Sequence, residues 1–392
     1  MKTHRMVMLL IAVLLVLTGC VLPKQYPVEN MQNILVAGVD IEDGQLKLTV
    51  LTDKIVSGSQ SGNEKIVTQI YNGKGVTISE AENMIKAHAE KNIGWYHLKY
   101  IVIGEEVAKK DLKEVLDYFI ENDETRFSHE LTLAKGMSAS EFFAKVVTPQ
   151  VKLSEDLDSL FMKSEQIGTS TKVSMLDYAS DSESAWSDLY IPTVQVIPTA
   201  QKENAKGTEG GGQEAEYLAK LGGFALFKNN LLAGYLDERQ AMGLNIAINK
   251  LQNAIITVTD MNGKPVSLEI ISSKADIITN LSGMPSAEIR VNQDSFLQEY
   301  HEAVGVAKDE YIKFLEDQQN KYVSSIITEA LSQAQLLETD VFGIGSALYH
   351  AHPADSQKIR DKWGELFPAM TITVQVKSKI RSTYNMKNAP GK

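Results

Sequence analysis

The chain has 392 residues, 43% of them hydrophobic and 23% charged, with a formal net charge of −11. That length suits two or three domains, and the hydrophobic content is that of an ordinary globular chain. The acidic surplus excludes nucleic-acid binding through a broad basic face and argues against a body lying flat on anionic lipid.

Lys2, His4 and Arg5 form a short basic start, followed by an unbroken apolar run over residues 6–17. The run is too short for a bilayer core, which needs about 20 apolar residues. It suits the hydrophobic region of a signal peptide. Leu17-Thr18-Gly19-Cys20 follows, the pattern of a lipobox. Residues 1–19 are therefore expected to be a signal peptide, and Cys20 the S-diacylglyceryl mature N-terminus. Cys20 is the only cysteine, so no internal disulfide is available to an exported chain. Loss of Lys2 and Arg5 with the leader takes the formal charge from −11 to −13, two cations fewer. Two acyl chains anchor durably where one binds marginally. No later apolar stretch reaches spanning length. Residues 20–32, polar and carrying Pro23 and Pro27, read as the lipidated tether.

Residues 33–199 read as an N-terminal α/β region of one or two domains. Asp43-Gly44 between two apolar runs, 33–41 and 45–51, predicts a hairpin. A short strand is expected at 66–71. Ser79 and Glu82 form a capping-box pattern for a helix to about residue 91. Strand 97–103, helix 105–120, strand 128–134 and helix 138–146 follow in alternation. Residues 153–186 read as interrupted helix, and 189–199 as strand. Residues 200–217, with Gly210, Gly211 and Gly212 and almost no large apolar residue, read as a flexible linker or loop.

Residues 218–392 read as a C-terminal α+β domain. A hairpin is expected around Asn229-Asn230, then a helix N-capped by Asp237. Four strands are expected at 254–259, 266–272, 275–280 and 287–291, forming a meander with helices on one face. A helical region is expected to start at 296–303, with one long helix over 307–337. Short helices at 341–350 and 359–367 precede a closing strand at 371–381. The fold class is thus mixed α/β and α+β, multi-domain, with sheets packed by helices and a largely antiparallel C-terminal sheet beside long helices.

The motifs of catalysis are missing from the sequence. There is no His-Glu-x-x-His, no Gly-x-Ser-x-Gly and no Ser-x-x-Lys set. His350 and His352 are two apart and would diverge on a helix, so no metal site is expected. Glu105-Glu106 and Asp123-Glu124 read as solvated helix-edge acids. No catalytic residue and no cofactor is expected. Trp95, Tyr96 and His97 form the one aromatic cluster to watch. It reads as packing beneath the sheet or, alternatively, as a partner surface.

With these residues in view, the chain resembles the Ger(x)C lipoproteins, the C subunits of nutrient germinant receptors in endospore-forming bacteria. The resemblance rests on the lipobox at Cys20, the strand 34–40 and the run from Trp95 through Tyr100 to Gly104-Glu105-Glu106. It continues through Leu133-Ala134-Lys135-Gly136, Tyr190-Ile191-Pro192-Thr193-Val194, and Leu221-Gly222-Gly223-Phe224 leading to Gly234-Tyr235-Leu236. Asp340-Val341-Phe342-Gly343-Ile344-Gly345, Trp363 and Phe367 complete it. The resemblance implies a three-domain mixed α/β protein on the outer face of the cytoplasmic (inner spore) membrane. It implies a non-catalytic role beside two integral-membrane subunits, an A-type and a transporter-like B-type. The other reading is an extracytoplasmic solute-binding lipoprotein of an importer, whose two lobes would close on a cleft. A cell-wall hydrolase is a third class, with no motif behind it.

Overall fold

The computed structural model describes residues 30–57, 64–110, 112–148, 151–199, 217–298 and 308–381. The expected signal peptide and Cys20 lie outside these residues, as do most of the tether and of the 200–217 stretch. The architecture is mixed α/β and α+β, with two sheets packed by helices.

Strand β1 (Met31–Glu42) turns into β2 (Gln45–Ser57) through Asp43 and Gly44, whose φ values are 53° and 79°. Two left-handed residues give the turn whose twist matches the flanking strands. β3 (Glu64–Gly75) pairs antiparallel outside β2 and is longer than the expected 66–71. Helix α1 (Ile78–His88) packs close to it, because a Cβ at Gly75 would stand 2.7 Å from the Ala81 nitrogen. Its cap is Thr77, whose hydroxyl accepts from the Glu80 N–H at 3.2 Å. Glu80 in turn accepts from the Val76 N–H at 2.7 Å. The capping pair is thus two residues earlier than Ser79 and Glu82, and Glu82 is used elsewhere.

β4 (Asn92–Gly94) and β5 (Tyr100–Gly104) both run parallel to β1. β6 (Glu130–Ala134) and β7 (Tyr190–Pro198) extend the parallel set. All of β5 is buried, as a parallel strand covered on both faces must be. Its alternate side chains feed separate cores. Ile101 and Ile103 meet Leu116 and Phe119 on one side, while Tyr100 and Val102 meet Phe142 and Phe161 on the other. The first side carries α1, α2 (Glu105–Lys110) and α3 (Leu112–Glu121), which lie on either side of residue 111 in the expected helical stretch. The second carries α4 (Ala139–Val146) and α5 (Leu153–Gln166). Helix α6 (Met175–Ser182) leads back to β7.

β8 (Tyr217–Lys228) and β9 (Leu231–Leu236) then add antiparallel to β7, joined by Asn229 and Asn230 at φ 51° and 63°. The sheet order is β3-β2-β1-β5-β6-β7-β8-β9, with β4 on β1. Chain from both sides of the 200–217 stretch therefore shares one sheet.

Asp237 and Gln240 form the capping box of α7 (Glu238–Ala247). The second sheet is β10 (Ala254–Thr259), β11 (Pro265–Asn280), β12 (Ser286–Leu297) and β13 (Thr371–Arg381), in that order. The expected strands 266–272 and 275–280 are one strand of 16 residues, with a register shift between Ile270 and Ser272. The extra residue of the bulge is Ile271, and the polar residues 272–274 stay paired with β12. Phe296 and Leu297 belong to β12 and do not begin a helix; Leu297 is buried in the sheet core. The long helix is α8 (Lys308–Leu336). It crosses α7 at Gly243, where a Cβ would stand 2.6 Å from the Ile326 carbonyl carbon. α9 (Ile344–Ala351), α10 (Pro353–Ser356), a 3-10 turn (Gln357–Lys362) and α11 (Trp363–Ala369) return the chain to β13, which lies parallel to β12.

Candidate functional site

The structure separates the three residues of the aromatic cluster. β4 on β1 and the turn closed by the Leu98 N–H to Trp95 carbonyl bond (2.9 Å) send Trp95 inward. Trp95 is 1% exposed and meets Tyr118 and Phe119 edge-on at 6.1 and 5.6 Å. Its indole N–H donates to Glu82 Oε1 at 2.7 Å, and the Tyr118 hydroxyl donates to Glu82 Oε2 at 3.1 Å. Glu82 is thus a buried-side acceptor for two aromatics, which is why it is not the helix cap. Tyr96, 50% exposed, and His97 face solvent.

His350 and His352 also part. His350 lies against the Tyr349 ring, and His352 Nε2 is 3.4 Å from the Thr279 carbonyl. Among the described residues no group of three His, Cys, Asp or Glu is placed to hold a metal. Glu105 accepts from the Gly136 N–H and pairs with Lys109, and Glu124 accepts from the Trp95 N–H at 3.1 Å. These acids hold loops.

Open α/β sheets commonly bind ligands beyond the carboxyl ends of their parallel strands. Here that position is filled from within. Asp40, near the end of β1 and 3% exposed, accepts from the Ala139 and Ser140 N–H groups at 2.6 and 2.8 Å. It caps α4 across the strand ends. Gly104 on β5 makes room, since a Cβ there would overlap the Asp40 carboxylate. Burial pushes the Asp40 carboxyl up, against the pull of the two N–H groups.

At the opposite strand ends, the Tyr100 hydroxyl donates to Asp158 Oδ1 at 2.6 Å, and Lys99 pairs with Asp158 Oδ2 at 2.9 Å. Glu130 opens β6 beside them. Burial pushes its carboxyl up to about 7, with Lys172 pulling the other way.

The most developed constellation lies where the first sheet meets the C-terminal helices. After α8, Glu338 takes a left-handed φ of 58° and the Thr339 N–H donates back to the Ala334 carbonyl at 2.9 Å. That turn delivers Asp340, 1% exposed, into the junction. Its carboxylate accepts from the Ile344 N–H (3.1 Å), the Gly345 N–H (2.7 Å) and the Trp363 indole N–H (3.2 Å). Left-handed Gly343, at φ 69°, lets the chain wrap around it. Gly345 sits so tightly that a Cβ would stand 2.5 Å from the Trp186 carbonyl and 2.6 Å from the Trp363 nitrogen. Trp186 and Trp363 are 5.7 Å apart, and Tyr349 stacks on Trp186 at 5.9 Å.

The backbone of Asp340 exchanges bonds with Asp188. The Asp340 N–H donates to Asp188 Oδ2 at 2.8 Å, and the Asp188 N–H donates to the Asp340 carbonyl at 3.0 Å. Lys228, at the end of β8, reaches Asp188 Oδ2 at 3.1 Å. Burial pushes the Asp340 carboxyl up to about 7, opposed by its three donors. Chemically this is a fully engaged polar node. It ties the approach to β7, the end of β8 and the α9–α11 region into one unit. The sequence flags Asp340, Gly343, Gly345 and Trp363 through their family pattern. It gives no sign of Asp188 or Trp186, whose partners in the C-terminal part lie more than 150 residues away, as in the Asp188–Asp340 pair at a separation of 152.

Comparison with known proteins agrees with this layout. Residues 24–196 match the family model described as "Spore germination protein N-terminal domain", and residues 222–384 match "Spore germination B3/ GerAC like, C-terminal". The chain is 23% identical to "Spore germination protein KC" of Bacillus subtilis (strain 168), covering 97% of each chain. It is 25% identical to "Spore germination protein B3" of the same organism, covering 97% of this chain and 98% of that one. The solved structure titled "Crystal Structure of the GerBC protein" superposes with a TM-score of 0.56 at 22% identity, covering 88% of this chain and 96% of that one. Two family models in sequence order and relatives matched from end to end make one assignment: the chain belongs to the Ger(x)C family of spore germination proteins, the family of germinant-receptor C subunits.

Proposed function

We propose that this chain is the lipid-anchored C subunit of a nutrient germinant receptor, held on the outer face of the cytoplasmic (inner spore) membrane through Cys20 and acting without catalysis of its own. The reading is carried by the family match over 24–196 and 222–384, which begins four positions after a lipobox cysteine. The first strand starts at Met31, so the tether spans 11 residue steps from Cys20. At most about 3.5 Å each, these hold the folded body within about 40 Å of the lipid. An anchor at that range raises the effective concentration of any membrane partner. The partners in this reading are the A-type and transporter-like B-type integral-membrane subunits. Among the described residues no helix is long and apolar enough to cross a membrane. The Asp340 node fits a coupling role, because it bonds the approach to β7 to the C-terminal helices.

The test uses the full chain in a spore-forming host. Mass measurement of the mature N-terminal peptide is expected to find Cys20 carrying diacylglycerol. Cys20→Ser is expected to leave the membrane fraction and to lose co-purification with the two integral-membrane subunits. An unmodified thiol, or a Cys20→Ser chain that still fractionates with the membrane, refutes the anchor. Wild-type chain that never co-purifies with those subunits refutes the receptor role.

A further inference from the structure

β13 is the free edge of the second sheet. It pairs with β12 along its 11 residues, in parallel, and on that side alone among the described residues. In a strand, residues whose backbone faces the partner alternate with residues whose backbone faces away. The outward set is marked by two bonds. The Ser378 N–H donates to Asn320 Oδ1 at 2.8 Å, and the Ile380 N–H donates to Glu316 Oε1 at 2.9 Å. Helix α8 thus covers the last outward groups of the edge. The same parity turns the N–H and C=O groups of Ile372, Val374 and Val376 outward, and no described residue pairs with them.

Beside this open half runs a groove of about 630 Å³ between β13 and α8, whose lining includes Asn320, Lys321, Ser324, Thr328, Val374 and Val376, and also Glu329, which is paired with Arg239 at 2.9 Å. Free edges are normally blunted by charge, proline, bulges or cover. Residues 371–376, Thr-Ile-Thr-Val-Gln-Val, carry no charge and no proline in a chain that is 23% charged. Their composition favours strand pairing. Charge appears only at the far end. Lys377 and Lys379 on the strand and Lys321 on the helix are exposed, and none has a carboxylate within ion-pair distance among the described residues. Set against the Glu316 carboxylate on the Ile380 N–H and the Asp294–Arg381 pair, the three ammonium groups leave this end of the groove locally positive on a chain of net charge −11.

We propose that this edge is a strand-addition site for an extended, uncharged, β-branched segment of a partner protein that ends in two consecutive acidic residues. Consecutive side chains of an added strand point to opposite faces. One carboxylate therefore meets Lys321 on the helix side and the other meets Lys377 and Lys379 on the open side. A second copy of this chain does not fit. Its own α8, about 10 Å across, would have to enter a slot one strand spacing wide, about 4.8 Å. The site stands on this edge alone and does not depend on the receptor role.

The probe is a fluorescent peptide of about eight residues, a usual strand length, alternating valine and threonine and ending in two aspartates. A control peptide ends in two lysines. Both are titrated into the full chain by fluorescence anisotropy. The acidic peptide is expected to bind about tenfold more tightly than the lysine peptide. Val374→Pro removes an outward N–H and leaves the β12 ladder intact; it is expected to weaken the acidic peptide about tenfold. The combined change Lys321→Glu, Lys377→Glu and Lys379→Glu is expected to reverse the preference between the peptides. Its side chains are exposed, so it decides the matter if Val374→Pro fails to fold. Equal binding of the two peptides, no binding of either, or an unchanged preference after charge reversal overturns the proposal. So does a concentration-dependent dimer that Val374→Pro abolishes, which would give the edge to a second copy.

Discussion

Replacing Asp340 with alanine tests the central node. The change strands three buried donors, the Ile344 and Gly345 N–H groups and the Trp363 indole N–H. A buried donor left without an acceptor costs about 1–3 kcal/mol, so the expected loss for three is roughly 3–9 kcal/mol. For a domain stability of about 5–15 kcal/mol that is a large fraction. The pH dependence adds a second handle. Burial holds the Asp340 carboxyl at about 7 in the folded chain, above its ordinary 3.8. Such a group favours the fold fully below the ordinary value and loses that contribution as pH rises to about 7. Asp340→Ala has no such slope, so its deficit should be larger at pH 5.5 than at pH 8. The assay is urea unfolding of the full chain, followed by tryptophan fluorescence. Two of the three tryptophans, Trp186 and Trp363, sit at the node and report on it directly. A loss below about 1 kcal/mol at pH 5.5 would mean the three bonds are not holding the junction, and the reasoning would fail.

Glu130→Gln should be more stable than wild type at pH 8, by about 1–2 kcal/mol once partial exposure is allowed for, and equal to it near pH 4.5. The sign follows from burial raising Glu130 from 4.5 to about 7, so its contribution is lost as pH rises through that window. Neighbouring His129 runs the other way, because burial lowers it from 6.5 to about 4 and its contribution is lost as pH falls. As pH falls from 7 to 5 the melting temperature of wild type should therefore rise relative to that of Glu130→Gln, because the His129 and Asp340 contributions are common to both; parallel curves would contradict this. Gly243→Ala should lower the thermal midpoint. Its Cβ would stand 2.6 Å from the Ile326 carbonyl carbon and 2.9 Å from the Ile327 nitrogen. Overpacking of that kind costs about 1–3 kcal/mol, more than the roughly 1 kcal/mol alanine gains in helix propensity. A raised midpoint would show that α7 and α8 are looser than drawn.

Local signals carried the local structure. Asp43-Gly44 and Asn229-Asn230 are hairpin turns because their backbones reach the left-handed region, and Asp237 caps its helix through Gln240. The long helix α8 follows from its spacing of apolar residues. Ambiguity arose where two patterns overlapped. Thr77 with Glu80 and Ser79 with Glu82 are both hydroxyl–carboxylate pairs at the same spacing. The choice between them was made by Trp95 and Tyr118, which occupy Glu82 from outside the helix. The polar residues 272–274 of β11 look like a break between two strands, yet they stay paired with β12, and the irregularity falls at apolar Ile271. The parallel seating of β13 on β12, and the bonding of Asp188 to Asp340, depend on segments far apart in the chain. No window of sequence holds both halves of such a contact.

The completion of the first sheet by β8 and β9 bears on how this polypeptide can be divided. A fragment ending near residue 200 would keep β7 but strip its neighbour, laying bare a ladder edge and the apolar flanks that Ala225 and Phe227 close on one face and Leu221 on the other. A fragment starting there would carry two strands with no sheet to join. Chimeras between relatives should therefore be joined after Leu236, with both hairpin strands travelling with the N-terminal part. A junction placed at the seam between the two family segments invites aggregation of both products.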